Sequence, residues 1–320
     1  MRRIVGFLTG LLLVGLVAMT VARFLGTGLR TLVLVASFSC YSLVGFLVVL
    51  VGCLLAFRGA RRRRLVALAA LVATVGLMVQ GLAVAPFFTG TTGRADLTVM
   101  TSNLEFGRAD AAAVVRTVAS EGVDVLALEE VTPEELDRLL GAGLGQLLPH
   151  RLGVPSYTAA GTMVFSHYEL ELTADLPIRN GGLDVRVAAP TPYRLLAIHT
   201  AQPVGWTTPW TRDMATIRER AAQAVRSGPT MVMGDFNATR DHVQFRAILG
   251  TGLRDAAEQA GSGWQPTWPT RYRRSWLRPV IAIDHVLVSD RFQAMSTHTV
   301  ELVGTDHRAL VARVGDRNRD

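Results

Sequence analysis

Hydrophobic positions are spread unevenly along the chain. Three apolar runs without a charged residue precede residue 86, at positions 4–22, 32–57 and 65–85. Each run is close to or above the roughly 18–20 residues that a helix needs to cross about 30 Å of hydrocarbon. The pattern predicts three transmembrane helices in a membrane domain over residues 1–85.

Two other interpretations of these runs stay open at the level of sequence. Arg2 and Arg3 precede the first run, as they would in a cleaved signal peptide. The runs are also apolar enough to be buried helices of a soluble protein. We favour membrane spans because the first run is long for a signal peptide and two more runs follow it closely.

Residues 86–95 are predicted to be a linker. Pro86 can end the third apolar helix, and Gly90 and Gly93 disfavour regular structure. From Asp96 onward, short apolar runs alternate with amphipathic stretches, which predicts an α/β domain over residues 96–320. Strands are predicted at 97–104, 123–131, 162–166, 193–200, 230–237, 281–289 and 308–314. Helices are predicted at 110–120, from Pro133, and at 211–226.

The net charge of the chain is distributed unevenly between the apolar part and the α/β domain. The formal net charge of +7 suggests a nucleic-acid-binding protein. However, residues 1–95 contain ten arginines and no acid, whereas residues 96–320 contain 23 arginines and 26 acids, a net charge of −3. The basic character therefore belongs to the membrane part.

Arginine placement predicts the orientation of that part. Five arginines lie in the second connection, residues 58–64, but only Arg23 and Arg30 lie in the first. Positive loops stay in the cytoplasm, so residues 96–320 are predicted to be extracytoplasmic, in a multi-pass protein of the cell membrane. Cys40 and Cys53 lie within the second apolar run, so the α/β domain has no disulfide and no thiolate metal site.

Polar residues cluster where the predicted strands of the α/β domain end. Such a residue is costly to bury unless it is paired, hydrogen-bonded or bound to metal. A single one would be explained as a turn or cap, but a series at successive strand ends predicts a shared site. The series comprises Asn103, Glu130, His199, Asp235, Asn237, Asp284, His285, Asp306 and His307.

The residue types in this series suit one kind of chemistry. Asn103, Glu130 and Asp306 offer oxygen ligands, which Mg²⁺ or Mn²⁺ prefers. Zinc would require clustered His or Cys. Paired His and Asp provide a general base and its orienting group. Together these features predict in-line attack of water on phosphorus, with a metal neutralising the developing charge.

Five segments resemble the endonuclease/exonuclease/phosphatase superfamily in the family's order. They are TSNLEFG, LALEEV, MGDFNAT, IDHVLVS and GTDHRAL, and IHT fits between the second and third. The resemblance covers residues 96 to about 314. It implies a four-layer α/β/β/α sandwich and a Mg²⁺-dependent (or Mn²⁺-dependent) phosphoric ester hydrolase.

The resemblance also implies a metal site. Asn103 and Glu130 would help hold the ion, and Asp306 would complete its shell. Glu105 stands where some members have a further carboxylate on the metal side, although it can equally be a solvated loop acid. The family commonly has Gln where this chain has Glu129, which would add negative charge beside the site.

Catalytic roles follow from the same resemblance. Asp235 and Asn237 would position the attacking water and the phosphate, and His199 would donate to a phosphate oxygen. His307 would be the catalytic imidazole, oriented by Asp284. His285 is expected to support the site from behind or to pack within its strand.

The sequence predicts classes of partner. The expected partners are the lipid bilayer and a phosphoester: a lipid headgroup, a small phosphoester or nucleic acid; no obligate protein partner is indicated. A membrane-bound nuclease and a catalytically inactive membrane scaffold are the alternatives. Residues 270–279 form a basic and aromatic run that contains Arg271, Arg273, Arg274 and Arg278. This run is expected either to contact phosphates or to be a solvated loop.

Overall fold

The structure is a computed structural model of the chain and describes residues 2–57, 62–90, 93–270 and 278–318. Arg58, Arg61, Arg271, Arg273 and Arg274, which enter the sequence argument, lie outside the described residues. The chain forms two compact units. The first comprises Met1–Pro86 with Asp241–Val243, and the second comprises Phe87–Arg240 with Gln244–Asp320.

The first unit is helical. Its helices are α1 (Arg2–Ala22), α2 (Arg30–Ala36), α3 (Ser42–Ala56) and α4 (Arg63–Val84). Among the described residues, the stretches Ser39–Ala56 and Arg63–Phe88 are long and apolar enough to cross a membrane, and Gly6–Ala22 forms a shorter apolar helix. The anchor of three membrane-spanning helices therefore stays a prediction.

The apolar run at 32–57 is divided rather than continuous. Helix α2 ends at Ala36, and a 3₁₀ turn over Ser39–Tyr41 precedes α3. The Ser42 hydroxyl donates to the Ser39 carbonyl (2.7 Å), and the Gln80 amide donates to the Ser39 hydroxyl (3.1 Å). Serine side chains at this point compete with helical backbone bonds, which a hydropathy pattern does not register.

The second unit contains two mixed sheets. Its strands are β1 (Leu97–Asn103), β2 (Val125–Glu129), β3 (His150–Gly153), β4 (Met163–Ser166), β5 (Leu170–Asp175), β6 (Gly182–Val187), β7 (Tyr193–His199), β8 (Thr230–Asp235), β9 (Leu253–Asp255), β10 (Asp284–Ser289), β11 (Phe292–Glu301) and β12 (Arg308–Asp316). Within the described residues, one sheet has the order β11-β12-β1-β2-β4-β3 and the other β5-β6-β7-β8-β10-β9. The expected α/β fold with two mixed sheets is confirmed.

Helices cover the outer faces of the two sheets. They are α5 (Ala111–Glu121), α6 (Pro133–Gly141), α7 (Leu144–Leu147), α8 (Thr207–Ser227) and α9 (Val243–Leu249), whereas the short helix α10 (Ala256–Ala260) packs against the core between the sheets. Val114 and Val118 of α5 share one buried cluster with Leu126 and Leu128 of β2. Val99, Val185 and Val286 belong to the core between the sheets. Layers therefore follow the order helix, sheet, sheet, helix.

Each sheet has one parallel pair, and these pairs position the site. Strands β1 and β2 are parallel in the first sheet, and β7 and β8 are parallel in the second. Parallel neighbours need a crossover, which α5 and α8 provide. The carboxyl ends of all four strands consequently carry the polar residues that leave the core.

Candidate active site

Strand register brings the predicted residues together. Asn103 pairs with Glu129 across β1 and β2, and His199 pairs with Asp235 across β7 and β8. Asp284, at the start of antiparallel β10, pairs with Asp235. The ends of strands from both sheets therefore deliver buried polar side chains to one place.

Left-handed backbone turns redirect the chain as it leaves these strands. Glu105, Phe106, Glu130 and Asn237 have φ values of 47°, 54°, 57° and 45°. Positive φ is uncommon for residues other than glycine and persists only where the surroundings enforce it. Among the described residues, every non-glycine residue with positive φ lies in a loop of this site.

His307 and Asp284 form a buried pair. Nδ1 of His307 lies 2.9 Å from Oδ2 of Asp284, and its Nε2 lies 3.9 Å from both Asp235 Oδ2 and Asp306 Oδ1. Burial alone would lower the pKa of His307, but Asp284, Asp235 and Asp306 together raise that pKa to about 10. In this state the ring is an imidazolium at neutral pH, with Nε2–H directed toward the carboxylates.

Asp235 is the central carboxylate. Its Oδ1 accepts the backbone N–H of Asn237 (2.7 Å), and its Oδ2 accepts from the side-chain Nδ2 of Asn103 (3.2 Å). Burial and the nearby Asp284 carboxylate raise the pKa of Asp235 to about 7, against the opposing effect of His307. A carboxylate with a pKa near neutrality is suited to accept a proton from water.

Glu130 and Asn103 lie on the other side of Asp235. Asn103 Nδ2 donates to Glu130 Oε1 (3.2 Å), and the Phe106 amide N–H donates to Glu130 Oε2 (2.9 Å). Asn103 Oδ1 accepts the Glu105 amide N–H at 2.9 Å. Asn103 therefore presents its NH₂ group to the two carboxylates, and its predicted role as an oxygen ligand stays a prediction.

The two remaining predicted metal ligands are held by other partners. Glu105 is buried, and its carboxylate forms an ion pair with Arg108 at 2.8 Å. Asp306 Oδ2 accepts the indole N–H of Trp268 at 3.1 Å. The described residues also group the ligand atoms of Asp235, Asp284 and His307 within 4.8 Å of one another. Oxygen donors predominate in both sets.

His199 is neutral in this structure. Its Nδ1 donates to the Ala159 carbonyl (3.0 Å), and its Nε2 lies 3.6 Å from Asp235 and 3.8 Å from Glu130. Burial lowers the pKa of His199 to about 4, although the bond to Ala159 opposes this shift. Donation from Nε2 to a phosphate would therefore require proton uptake with the substrate.

Glu129, where the family commonly has Gln, is buried beside the carboxylates of the site. Its side chain is fully buried, and Thr101 Oγ1 donates to Oε1 at 3.0 Å. Burial, with Asp284 and Asp235 nearby, raises the pKa of Glu129 well above its usual value. The shift favours the protonated form of Glu129, whose shape is close to that of the glutamine that the family commonly has here.

Four supporting residues were not predicted from sequence. Asn180 and Asn237 both donate through Nδ2 to the Thr200 carbonyl, at 2.9 and 3.1 Å. Thr305 Oγ1 donates to the Asn103 carbonyl (2.7 Å), and Trp268 holds Asp306. Thr200 and Thr305 are each next to a motif residue, which is a usable signal, but Asn180 and Trp268 carry none.

Exposed apolar side chains occupy loops at the same edge. Phe106, Tyr157 and Trp206 are 46%, 71% and 81% exposed. Phe106 follows β1, and its backbone N–H donates to Glu130. Tyr157 lies in the same loop as Ala159, whose carbonyl accepts from His199. Trp206 lies in the loop that follows β7.

Comparisons with known proteins agree with this geometry. The sequence model of the Endonuclease/Exonuclease/phosphatase family matches residues 100–307. Among curated proteins, none matches the chain.

Three solved structures illustrate the similarity. A mannosyl-6-phosphatase from Bacteroides thetaiotaomicron has 14% identity and a TM-score of 0.53, covering 69% of this chain and 100% of its own. D. rerio TDP2 complexed with single strand DNA product has 15% identity and a TM-score of 0.55, covering 68% and 98%. An endonuclease/exonuclease/phosphatase from Beutenbergia cavernae has 20% identity and a TM-score of 0.52, covering 70% and 72%. At these identities the likenesses establish the fold.

Proposed function

The chain belongs to the Endonuclease/Exonuclease/phosphatase family, and from that premise we propose that it is a membrane-anchored, metal-dependent phosphoesterase. It hydrolyses a phosphodiester or phosphomonoester by in-line attack of water. The observation that carries the proposal is the buried group of His307, Asp284 and Asp235, with Glu130 joined to Asp235 through Asn103.

The residues divide the reaction between them. Asp235 accepts the proton of the attacking water, and Asn237 positions the water and the phosphate. As the P–O bond to the leaving alcohol breaks, His307, held by Asp284, donates its Nε2 proton to the departing oxygen, where negative charge develops. His199 contributes a second imidazole on the same face once it is protonated.

A divalent cation fits the oxygen donors of the site. Buried carboxylates are costly unless paired or bound to metal, and burial raises the pKa of Glu130. Mg²⁺ or Mn²⁺ suits such donors, and the second unit contains no thiol. Glu130 would hold the ion with Asn103, Asp306 and Glu105, and the ion would supply charge neutralisation at the phosphate.

The substrate is proposed to be amphiphilic or small rather than duplex nucleic acid. The α/β domain carries a net charge of −3, and exposed Trp206 and Tyr157 lie on loops of the site edge. Such side chains favour a membrane interface. A membrane-bound nuclease is the alternative, since D. rerio TDP2, which shares this fold, was solved in complex with single strand DNA product.

Hydrolysis of bis(p-nitrophenyl) phosphate and p-nitrophenyl phosphate by the full chain in detergent tests the proposal. Activity with Mg²⁺ or Mn²⁺ should disappear in EDTA and return when the metal is restored. Glu130→Gln should lower turnover by at least about 10²-fold. Glu301→Gln, which removes an exposed carboxylate of β11, is the matched control and should not change turnover. Full activity in chelator would refute the metal requirement, and an inactive protein on both esters would argue for a scaffold.

A further inference from the structure

His285 is a buried histidine that the reaction above does not use. It follows Asp284 in β10, and successive side chains of a strand point to opposite faces of the sheet. Its ring is 4.2 Å from the ring of Phe245 and 5.6 Å from that of Phe236, measured between centroids. His285 therefore packs behind the sheet and does not contact the substrate.

Both ring nitrogens of His285 have acceptors as partners. Nε2 lies 2.9 Å from the Ala238 carbonyl oxygen, and Nδ1 lies 2.8 Å from Asp255 Oδ2. A carbonyl and a carboxylate only accept, so both nitrogens carry hydrogen. Asp255 is itself fixed, because its Oδ1 accepts the Ala257 amide N–H (2.8 Å) at the start of α10.

The bond to Ala238 falls directly after Asn237. Asn237 has a φ of 45°, its amide N–H donates to Asp235 at 2.7 Å, and its side chain donates to the Thr200 carbonyl at 3.1 Å. Asparagine adopts the left-handed region more readily than most residues, and these two hydrogen bonds hold Asn237 in it.

We propose that His285 is a positioning residue that acts through Asn237. Its Nε2–H holds the Ala238 carbonyl and so fixes the left-handed turn that aims Asn237 into the site. Asp255 holds the other ring nitrogen and sets the direction of the imidazole. The network runs from the start of α10, through the back of the second sheet, to the residue that positions water and phosphate.

The kinetic test rests on the proposed function. His285→Leu should lower kcat by roughly 10- to 100-fold and leave KM within about threefold, because Asn237 misalignment affects the reacting geometry. His285→Gln should recover most of the activity, since its amide nitrogen can reach the Ala238 carbonyl. His298→Leu, at a half-exposed histidine of β11, should match the wild type.

A double mutant separates positioning from general destabilisation. If His285 acts through Asn237, His285→Leu should add little to the loss already caused by Asn237→Ala. Fully additive losses, or equal damage in His285→Leu and His285→Gln, would overturn the inference. Loss of activity in His307→Ala alongside wild-type activity in His285→Leu would also overturn it and leave the proposed function standing.

A measurement without substrate distinguishes failure of the positioning role from failure of the proposed function. In ¹⁵N spectra of the full chain, His285 should show hydrogen on both ring nitrogens, and His285→Leu should shift the Asn237 side-chain amide signals. His298→Leu should leave those signals in place. An unprotonated Nε2, or unshifted Asn237 signals, would refute the positioning role even if the enzyme is active. If the wild type is inactive on both esters, the proposed function fails and these signals alone decide the inference.

Discussion

At the scale of single residues, the protonation of the site is set by burial and by neighbouring charge. His307 is held as an imidazolium, whereas His199 is kept neutral, although both rings are buried. The difference arises because Asp284 contacts His307 directly at 2.9 Å, while His199 donates to a carbonyl. Two histidines of similar burial are therefore prepared for different tasks.

His307→Ala should lower turnover by at least about 10²-fold, because a positioned acid–base group typically contributes about 10²–10⁴-fold. Steady-state hydrolysis of a p-nitrophenyl phosphodiester measures the loss, and circular dichroism checks that the fold is retained. Asp284→Asn, which keeps the shape of the partner, should reduce turnover less. His298→Ala is the control. A folded His307→Ala protein whose turnover stays within a few fold of wild type would refute the role.

Polar residues at strand ends made several site residues predictable from the sequence. Their protonation and the residues that support them from other segments were not predictable in this way. Glu130, His199 and Asp235 each follow an apolar run, so the sequence alone predicts that they converge. The raised pKa of Glu129 could not be predicted, because it depends on burial and on Asp284 and Asp235 being close in space. Asn180 also gave no signal, since it contacts Thr200 from a segment without a motif.

At the scale of elements, most central strands were predicted, whereas both β6, a buried interior strand, and several edge strands were missed. Asp110 caps α5 as expected, by accepting the Ala113 amide N–H at 3.1 Å. Strand β5 was missed because it is largely exposed and carries little apolar periodicity. Strand β11 was missed for a similar reason, since its ten residues include two threonines and four other polar residues. Both strands lie at sheet edges, where burial imposes less on sequence.

Helix α6 carries a buried acid that should make stability depend on pH. Burial raises the pKa of Glu135 to about 7, although Arg138 opposes the shift. The folded state therefore binds a proton more tightly than the unfolded state, so stability should fall as pH rises from about 4.5 to about 7. This contribution is present below the unfolded pKa and is lost above the folded one.

Glu135→Gln should remove that dependence. Thermal unfolding of the full chain at pH 5 and pH 8 should show the variant melting at least about 2 °C above wild type at pH 8, with little difference at pH 5. Glu301→Gln, at an exposed position of β11, is the control at both pH values. An equal offset at the two pH values would contradict the assigned pKa.

At the scale of the whole molecule, the sequence separates an arginine-rich apolar part from an α/β part with a net charge of −3. Two stretches of the described first unit, Ser39–Ala56 and Arg63–Phe88, are long and apolar enough to span a membrane. The arginine count of the two connections predicts that the catalytic domain is extracytoplasmic.

A reporter active only outside the cytoplasm, fused after Asp320, should be active on that topology. The same reporter fused within residues 58–64 should be silent, and a cytoplasmic reporter should give the opposite pattern. A silent reporter after Asp320, together with an active cytoplasmic one at the same place, would overturn the orientation.

The proposed choice between a lipid and a nucleic-acid substrate depends on which of the two the edge of the site binds. Tight binding to duplex DNA comes mainly from basic residues that neutralise phosphates and weakens steeply with salt. Because the α/β domain has a net charge of −3, we expect no submicromolar binding to duplex DNA at physiological salt, measured by titration in Ca²⁺ at two salt concentrations. The exposed indole of Trp206 instead suits a lipid interface.

Trp206→Ser should therefore lower hydrolysis of phospholipid vesicles by roughly 10-fold, equivalent to about 1.4 kcal/mol of binding, and leave the soluble ester unaffected. Leu172→Ser removes an exposed apolar side chain from β5, away from the strand ends that carry the site, and should change neither rate. The two substrates separate surface binding from chemistry, because both use the same catalytic residues. Submicromolar DNA binding with a steep salt dependence and no vesicle hydrolysis would instead identify a nuclease.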